Sequence, residues 1–285
     1  MTHVLEAPPP EAAADWTVPQ RWDRFTAEEH ARWRLLFDRQ MRLLPGRAAP
    51  EFLDGVAKLD LAQGVPDFRR LSDRLGKLTG WEVVAVPGLV PDEVFFRHLA
   101  NRRFVAGNFL RAPSQMDYLE EPDVFHDVFG HVPLLAHPVF ADYMQAYGEG
   151  GLRSMGFESL HKLARLYWYT VEFGLVETAE GLRIYGAGIV SSGGESRFAL
   201  ESPSPHRLGF DLVRVMRTRY RIDAFQQTYF VIPSFEALLR ETLETDFAPL
   251  YARLDALSDL AITDILPGDR VFTRGTQAEA APARG

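Results

Sequence analysis

The sequence contains no cysteine among its 285 residues. Disulfides, thiolate zinc sites, iron–sulfur clusters and cysteine nucleophiles are therefore excluded, because each of them needs a thiol or a thiolate. Any metal ion that this chain binds must be held by nitrogen and oxygen atoms of other side chains.

The sequence also lacks a basic cluster and a long apolar run. Its net charge is −8, and the pair Arg102–Arg103 is too short to form a nucleic-acid footprint, which needs concentrated Lys and Arg. No run of about 18 apolar residues is present to span a membrane. Residues 1–15 have neither Lys nor Arg nor the apolar segment of a signal peptide. We therefore expect a cytoplasmic protein that binds neither nucleic acid nor a membrane.

Aromatic residues are plentiful, at 12% of the chain with 20 Phe, which suits a site for a flat, apolar ligand. Residues 1–20, with three consecutive prolines at 8–10, are predicted to be a disordered lead, and residues 269–285 a disordered tail. Between them, residues 21–268 are predicted to form a single domain that is mainly α-helical with a small β component.

The apolar spacing predicts several elements along this domain. A helix is expected to begin with a capping box at Thr26, a second to end at Gly80, and a third to begin at Pro91. Residues 160–176 are apolar nearly all round, which predicts one helix buried at the centre of the fold. The strand signals are short, at residues 81–86, 183–185 and 228–232.

Two histidines and a glutamate lie in strongly apolar stretches. His126 and His131 belong to FHDVFGHVP at residues 125–133, and Glu172 belongs to YWYTVEFGL at residues 167–175. Polar groups are costly to bury without partners, and a buried Glu calls for a cation. Two imidazoles and a carboxylate make a three-ligand face that leaves coordination positions open, as in non-haem iron(II) oxygenases.

The five-residue spacing of the histidines is awkward for one straight helix, because it puts the two side chains about 140° apart. Gly130 can leave the helix at low steric cost, and Pro133 favours extended geometry at Val132. We therefore predict that the helix ends there, so that His131 turns back towards the ion that His126 binds.

The residues alone leave alternatives open. Hydrogen bonding in the core explains two histidines as well as metal ligation does, and Asp127 and Glu158 are rivals for the third ligand. A zinc hydrolase would also accept two His and one Glu. No general base lies beside the histidines as it does in an HExxH helix, which argues against that class.

Several blocks of the chain resemble the pterin-dependent aromatic amino acid hydroxylases. They are HDVFGHVPLL at residues 126–135, YWYTVEFGL at 167–175 and YGAGIVSS at 185–192, together with VPGL at 86–89 and FQQTYFV at 225–231. The blocks occur in the family's order, and the similarity extends over about residues 22–266. The short bacterial members, which act on phenylalanine, are the most similar.

The resemblance implies a role for each residue that matches a family position. His126, His131 and Glu172 would bind Fe(II), the hydroxyl of Ser191 would support His126, and Tyr167 would lie near the iron-bound water. Residues in pterin contact would be Phe95, Gly88, Leu89 and Asp127. Arg111, held by Asp123, would pair with the substrate carboxylate. The pocket for the aromatic ring would be lined by Pro122, Trp168, Phe173 and Gly188.

One departure from the family pattern concerns Leu119 and Glu120, which replace a Thr-Pro pair that contacts substrate in the animal enzymes. The chain also resembles a bare catalytic domain without regulatory or tetramerising segments, which implies a monomer. The implied activity is insertion of oxygen from O2 into the para position of L-phenylalanine, with Fe(II) and a tetrahydropterin such as tetrahydrobiopterin as electron donor. Tryptophan or tyrosine as the substrate remains an alternative within the family.

Overall fold

The structure is a computed structural model that describes residues 4–117, 121–157 and 160–278. Leu119, Glu120 and Glu158, all named above, lie outside the described residues. The chain forms two compact units, one of residues 1–42 and 50–152, the other of residues 43–49 and 153–285. None of the described helices has the length and apolar character needed to cross a membrane.

The first unit is mainly helical. Its α-helices are α1 (Ala27–Leu43), α2 (Pro50–Leu59), α3 (Phe68–Thr79), α4 (Asp92–Ala100), α5 (Val132–Leu135) and α6 (Pro138–Ser154), and a first π-helix covers Phe125–His131. The predicted capping box is confirmed, since Thr26 N–H donates to Glu29 and Glu29 N–H donates to the Thr26 hydroxyl. Gly80 ends α3 with a φ of 77°, a conformation that glycine adopts without steric cost.

Two short parallel strands complete the first unit. Strand β1 (Glu82–Ala85) was predicted, whereas its partner β2 (Arg103–Ala106) was not. Four residues are too few to distinguish a buried strand from part of a helix by periodicity. The carboxyl ends of parallel strands lie at the same edge, so the loops after Ala85 and Ala106 are neighbours.

Aromatic packing fixes the first π-helix in its unit. The rings of Phe125 and Phe129 stack with centroids 4.8 Å apart, and Trp33 of α1 meets Phe125 edge-on at 5.1 Å. Phe52 of α2 contacts Phe129 at 5.8 Å. All four side chains are fully buried, and burial of each Phe contributes about 1.5–3 kcal/mol.

The N-terminal lead departs from the predicted disorder over residues 4–20. Leu5 N–H donates to Leu89 O, and Val18 N–H donates to Ala85 O at the end of β1. The Asp15 carboxylate binds the Arg103 guanidinium at 2.7 Å. Composition alone predicted disorder, because these partners are 67 to 88 residues further along the chain.

The second unit combines helices with a mixed sheet. It contains α7 (Leu160–Tyr167), a second π-helix (Trp168–Glu172), α8 (Ala187–Val190), α9 (Gly193–Glu201), α10 (Leu212–Arg217), α11 (Phe235–Glu244) and α12 (Phe247–Asp255). The strands are β3 (Leu175–Thr178), β4 (Gly181–Ile184), β5 (His206–Gly209), β6 (Thr228–Ile232) and β7 (Val271–Thr273). Their order in the sheet is β4-β3-β6-β5-β7, with buried β6 at its centre.

Two predictions need correction in this unit. Residues 160–176 are not one helix, because α7 passes into the second π-helix and the chain leaves it at Phe173 to form β3. A side chain at Gly174 would collide with Tyr185 and with Thr170 O, so the tight exit requires a glycine. The predicted disorder of the tail does not hold for residues 269–278, since β7 pairs with β5.

Candidate functional site

The first π-helix carries both candidate histidines. In a π-helix the N–H of residue i+5 bonds to the C=O of residue i, so residues five apart lie about one turn apart. The Nε2 atoms of His126 and His131 are accordingly only 3.3 Å apart, with the rings nearly perpendicular at 86°. The wide turn of the π-helix therefore brings the two histidines together despite their five-residue spacing.

The predicted helix exit at Gly130 and Pro133 is wrong. Val132 has φ −66° and ψ −32°, which is helical and not extended, and α5 follows the π-helix directly. Pro133 lies in the first turn of α5, and the chain stays helical through it. His131 is thus placed by the change of helix type and packs on Phe104 of β2 at 5.0 Å.

A buried ion pair anchors the start of the first π-helix. The Asp123 carboxylate accepts from Arg111 Nε at 2.9 Å and from Arg111 Nη2 at 2.8 Å. It also accepts from the backbone N–H of Arg111 and that of His126. Burial alone would raise the pKa of Asp123, but the hydrogen bonds and charge of Arg111 outweigh it and lower the pKa.

Arg111 and Asp123 thus form the predicted pair. Asp123 occupies Nε and Nη2 of the guanidinium, and among the described residues no hydrogen bond uses Nη1. Because a guanidinium offers five donors, this side can still bind a carboxylate. Pro122, a predicted pocket residue, is half-buried next to Asp123.

Among the three predicted pocket residues of the second unit, Phe173 lies between Trp168 and Gly188. The Trp168 and Phe173 rings lie 4.7 Å apart, and a side chain at Gly188 would come within 2.7 Å of Phe173. Tyr220 stacks on Trp168 at 4.3 Å with planes 17° apart. Trp168, Phe173 and Tyr220 therefore form one aromatic cluster, with Gly188 against Phe173.

The second π-helix ends at Glu172, the candidate carboxylate ligand. A side chain at Gly186 would lie 2.3 Å from Glu172 O, so the close approach of Gly186 supports this end of the helix. Tyr167 is the last residue of α7 and is half-buried. The buried Ser191 hydroxyl donates to Ala187 O at 2.6 Å.

His126, His131 and Glu172 form a group that could hold a metal ion. Each offers one ligand atom, and these atoms lie within 4.8 Å of one another. An ion bound at about 2.1 Å from each nitrogen can reach both histidines, given their 3.3 Å separation. Two imidazoles and a carboxylate without thiolate suit iron(II), so the residues fit the ion that the family resemblance implies.

The candidate pterin residues lie in the first unit. Gly88 and Leu89 follow β1, and Phe95 lies on α4. Asp127, the rival third ligand, accepts from Gly107 N–H at 2.7 Å and is not part of the three-residue group. Since Gly107 follows β2, Asp127 and the Gly88–Leu89 loop lie at the same edge of the strand pair.

Sequence reasoning missed two buried polar residues behind the aromatic cluster. Gln226 Oε1 accepts from the Trp168 indole N–H at 3.0 Å, and Gln226 N–H donates to Glu195 Oε1 at 3.1 Å. Burial raises the pKa of Glu195 to about 7. Ser192-Gly193-Gly194-Glu195 has the sequence of a capping box, and that pattern gave no signal of a further role.

Comparison with known proteins identifies the family of this chain. The family model described as biopterin-dependent aromatic amino acid hydroxylase matches residues 17–251. The phenylalanine-4-hydroxylase of Caulobacter vibrioides is 63% identical over 278 residues, which are 97% of this chain and 94% of that protein. The phenylalanine-4-hydroxylase of Ralstonia nicotianae is 61% identical over 92% of this chain and 84% of that protein.

Solved structures show the same fold. The phenylalanine hydroxylase of Chromobacterium violaceum with iron and phenylalanine bound is 56% identical, with a TM-score of 0.87, and covers 92% of this chain and 96% of that one. Its structure with iron(III) and 7,8-dihydrobiopterin is 58% identical, with a TM-score of 0.88, and covers 92% and 94%. The mainly helical catalytic domain with a smaller sheet is thereby confirmed, and the chain belongs to the biopterin-dependent aromatic amino acid hydroxylases.

Proposed function

We propose that this chain is a monooxygenase that converts L-phenylalanine to L-tyrosine with O2 and a tetrahydropterin at a non-haem iron(II) site. The observation that carries this function is the group formed by His126, His131 and Glu172. Three protein ligands leave positions on an octahedral ion for exchangeable groups. The relatives from Caulobacter and Ralstonia support phenylalanine as the substrate.

Bound iron(II) and the reduced pterin would supply activation of O2 and two electrons. The protein's own residues would hold the substrate. The free side of the Arg111 guanidinium would bind the α-carboxylate, while Asp123 keeps the guanidinium in place. Trp168, Phe173 and Gly188 would form the wall against which the ring packs and would exclude water from it.

The remaining assignments are also proposals. Phe95 would stack on the pterin, with Asp127 and the Gly88–Leu89 loop beside it. Ser191 would fix the orientation of a ligand histidine, and Tyr167 would lie near the iron-bound water. The cytoplasmic location and the monomeric state stay predictions.

Turnover of phenylalanine, tyrosine and tryptophan, measured side by side, tests the function. The protein is loaded with Fe(II), and tetrahydrobiopterin and O2 are supplied, with metal content determined on the same sample. We expect tyrosine from phenylalanine, in step with pterin oxidation, and slower reaction of the other two substrates. A preference for tryptophan or tyrosine would overturn the substrate assignment, and hydrolysis by the zinc-loaded protein without pterin would favour the zinc alternative.

A further inference from the structure

The indole of Trp168 has its only hydrogen bond among the described residues with Gln226. The N–H group donates to Gln226 Oε1 at 3.0 Å, across 58 residues of sequence. One face of the indole stacks on Tyr220, and Phe173 lies against it at a tilt of 38°. The stacking limits motion along the ring normal, whereas the hydrogen bond fixes rotation of the indole within its own plane.

The Gln226 amide has one consistent orientation. Its Nε2 donates to Arg221 O at 3.0 Å and to Ala224 O at 3.4 Å. Because two carbonyls accept from the NH2 group, the amide oxygen must point to the indole. In the reversed orientation the amide oxygen would face the two carbonyl oxygens, and the NH2 group would face the indole N–H. Gln226 is therefore a preorganised acceptor for Trp168.

Glu195 fixes the backbone of Gln226. Its Oε1 accepts from Gln226 N–H at 3.1 Å and from the Tyr229 hydroxyl. A capping-box Glu would normally bind the N–H of Ser192, but that N–H already donates to Ile189 O. The carboxyl is thus directed at Gln226 and not at the helix terminus.

The three residues form a buried chain of hydrogen bonds from Glu195 through Gln226 to Trp168. Both Glu195 and Gln226 are about 95% buried, and burial raises the pKa of the Glu195 carboxyl to about 7, so that it is mostly neutral below that pH. A neutral carboxyl can serve as a hydrogen-bonding support without a cation. Such a buried network specifies one arrangement of its members when all of them are satisfied.

We propose that Gln226, held by Glu195, is a positioning residue that fixes the indole of Trp168 and thereby sets the fit of the aromatic substrate ring. This inference rests on the proposed function, since that function assigns Trp168 to the substrate pocket. Gln226 is not one of the candidate iron ligands and acts through the indole of Trp168. Its loss therefore weakens substrate binding and selectivity and leaves the chemical step largely intact.

The test is Gln226→Met, which keeps the length of the side chain and removes the acceptor. With iron-loaded protein we expect the KM for phenylalanine, and its Kd by anaerobic calorimetry, to rise about tenfold, as loss of one orienting hydrogen bond implies. We expect kcat to stay within about threefold and the preference for phenylalanine over tryptophan to fall. The matched control is Gln227→Met, whose side chain is half-buried next to Gln226 and makes no hydrogen bond among the described residues.

A double-mutant cycle separates positioning from a general structural role. In the Trp168→Phe background the indole N–H is gone, so Gln226→Met should add little further loss, whereas a structural role would give the same loss in both backgrounds. Equal losses, or a wild-type KM and Kd for Gln226→Met, would overturn the proposal. If Gln226→Met does not fold, Gln226→Asn keeps a polar amide but withdraws it from the indole, and a wild-type KM there would also overturn it.

Failure of the proposed function would look different. In that case the wild-type protein itself would not convert phenylalanine, whatever residue stands at position 226. If the wild type is active and the variants match it in KM, Kd and selectivity, only the role of Gln226 is wrong.

Discussion

The two π-helices are supported by buried carboxyl groups of opposite character. Asp123 binds directly to the His126 backbone in the first π-helix and pairs with the Arg111 guanidinium, which lowers its pKa. Glu195 reaches Trp168, the first residue of the second π-helix, only through Gln226, and its pKa is raised to about 7. One support is therefore ionic and direct, and the other is indirect and mostly neutral below about pH 7.

The difference shows how each segment responds to pH. A lowered pKa at Asp123 gives stability that is present at neutral pH and is lost as the pH falls through the folded-state pKa. A raised pKa at Glu195 gives stability that is fully present below about 4.5 and is lost as the pH rises through about 7. The candidate ligand histidines and the proposed substrate wall are thus stabilised by groups with opposite pH dependence.

The largest expected effect comes from removing a ligand of either π-helix. Glu172→Ala and His131→Ala should each lose iron, and the rate of phenylalanine hydroxylation should fall about a thousandfold, which corresponds to about 4 kcal/mol. Metal analysis and single-turnover assays measure this, with Glu180→Ala, an exposed carboxylate of the second unit, as the control. Iron retained in Glu172→Ala but lost in His131→Ala would show that the second π-helix provides no ligand to the metal ion.

The next effect concerns the ionic support. Asp123→Ala leaves the Arg111 charge buried without its partner and frees two backbone N–H groups, so we expect a loss of about 3–5 kcal/mol in the free energy of unfolding. Urea denaturation at neutral pH measures it. Asp117→Ala is the matched control, because it breaks an exposed pair with Arg39 and should cost no more than about 1 kcal/mol. Equal losses in both variants would show that the buried Asp123–Arg111 pair stabilises the fold no more than the exposed Asp117–Arg39 pair does.

The third effect concerns Glu195 and depends on pH. The wild-type carboxyl of Glu195 resists ionisation when buried, whereas Glu195→Gln stays neutral at every pH. Relative to this variant, the wild type should lose about 3 kcal/mol in the free energy of unfolding between pH 4.5 and pH 7 and little more above it. Parallel urea titrations of both proteins at several pH values measure the difference. Curves that stay parallel across this range would mean that Glu195 is ionised in the folded state.

Some helix termini and the grouping of the three candidate ligands could be predicted from the sequence, and the helix type could not. Local signals such as the Thr26 capping box and Gly80 act within one turn, so they are visible in the sequence. The π-helices have no comparable signal, because an apolar pattern at helical spacing does not show whether hydrogen bonds run to i+4 or i+5. Gly130 and Pro133 were consequently interpreted as a helix exit.

Contacts across long sequence separations could not be predicted from the sequence either. The pairs Trp168–Gln226 and Asp15–Arg103 bring together residues 58 and 88 positions apart. Nothing in the local sequence indicates such a partner, and composition made the N-terminal lead look disordered. The family resemblance implied a role for Trp168 but did not indicate Gln226, which accepts a hydrogen bond from its indole.

The smallest expected effect tests the helix type directly. If α5 continues the first π-helix, Pro133 is not needed to aim His131, and Pro133→Ala should keep full iron content and hydroxylation within about twofold of wild type. Loss of buried methylene groups should still cost about 1–2 kcal/mol in the free energy of unfolding. Pro138→Ala, an exposed proline at the start of α6, is the matched control and should cost less. Loss of iron from folded Pro133→Ala would instead support the helix exit, because only an exit makes the position of His131 depend on the proline ring.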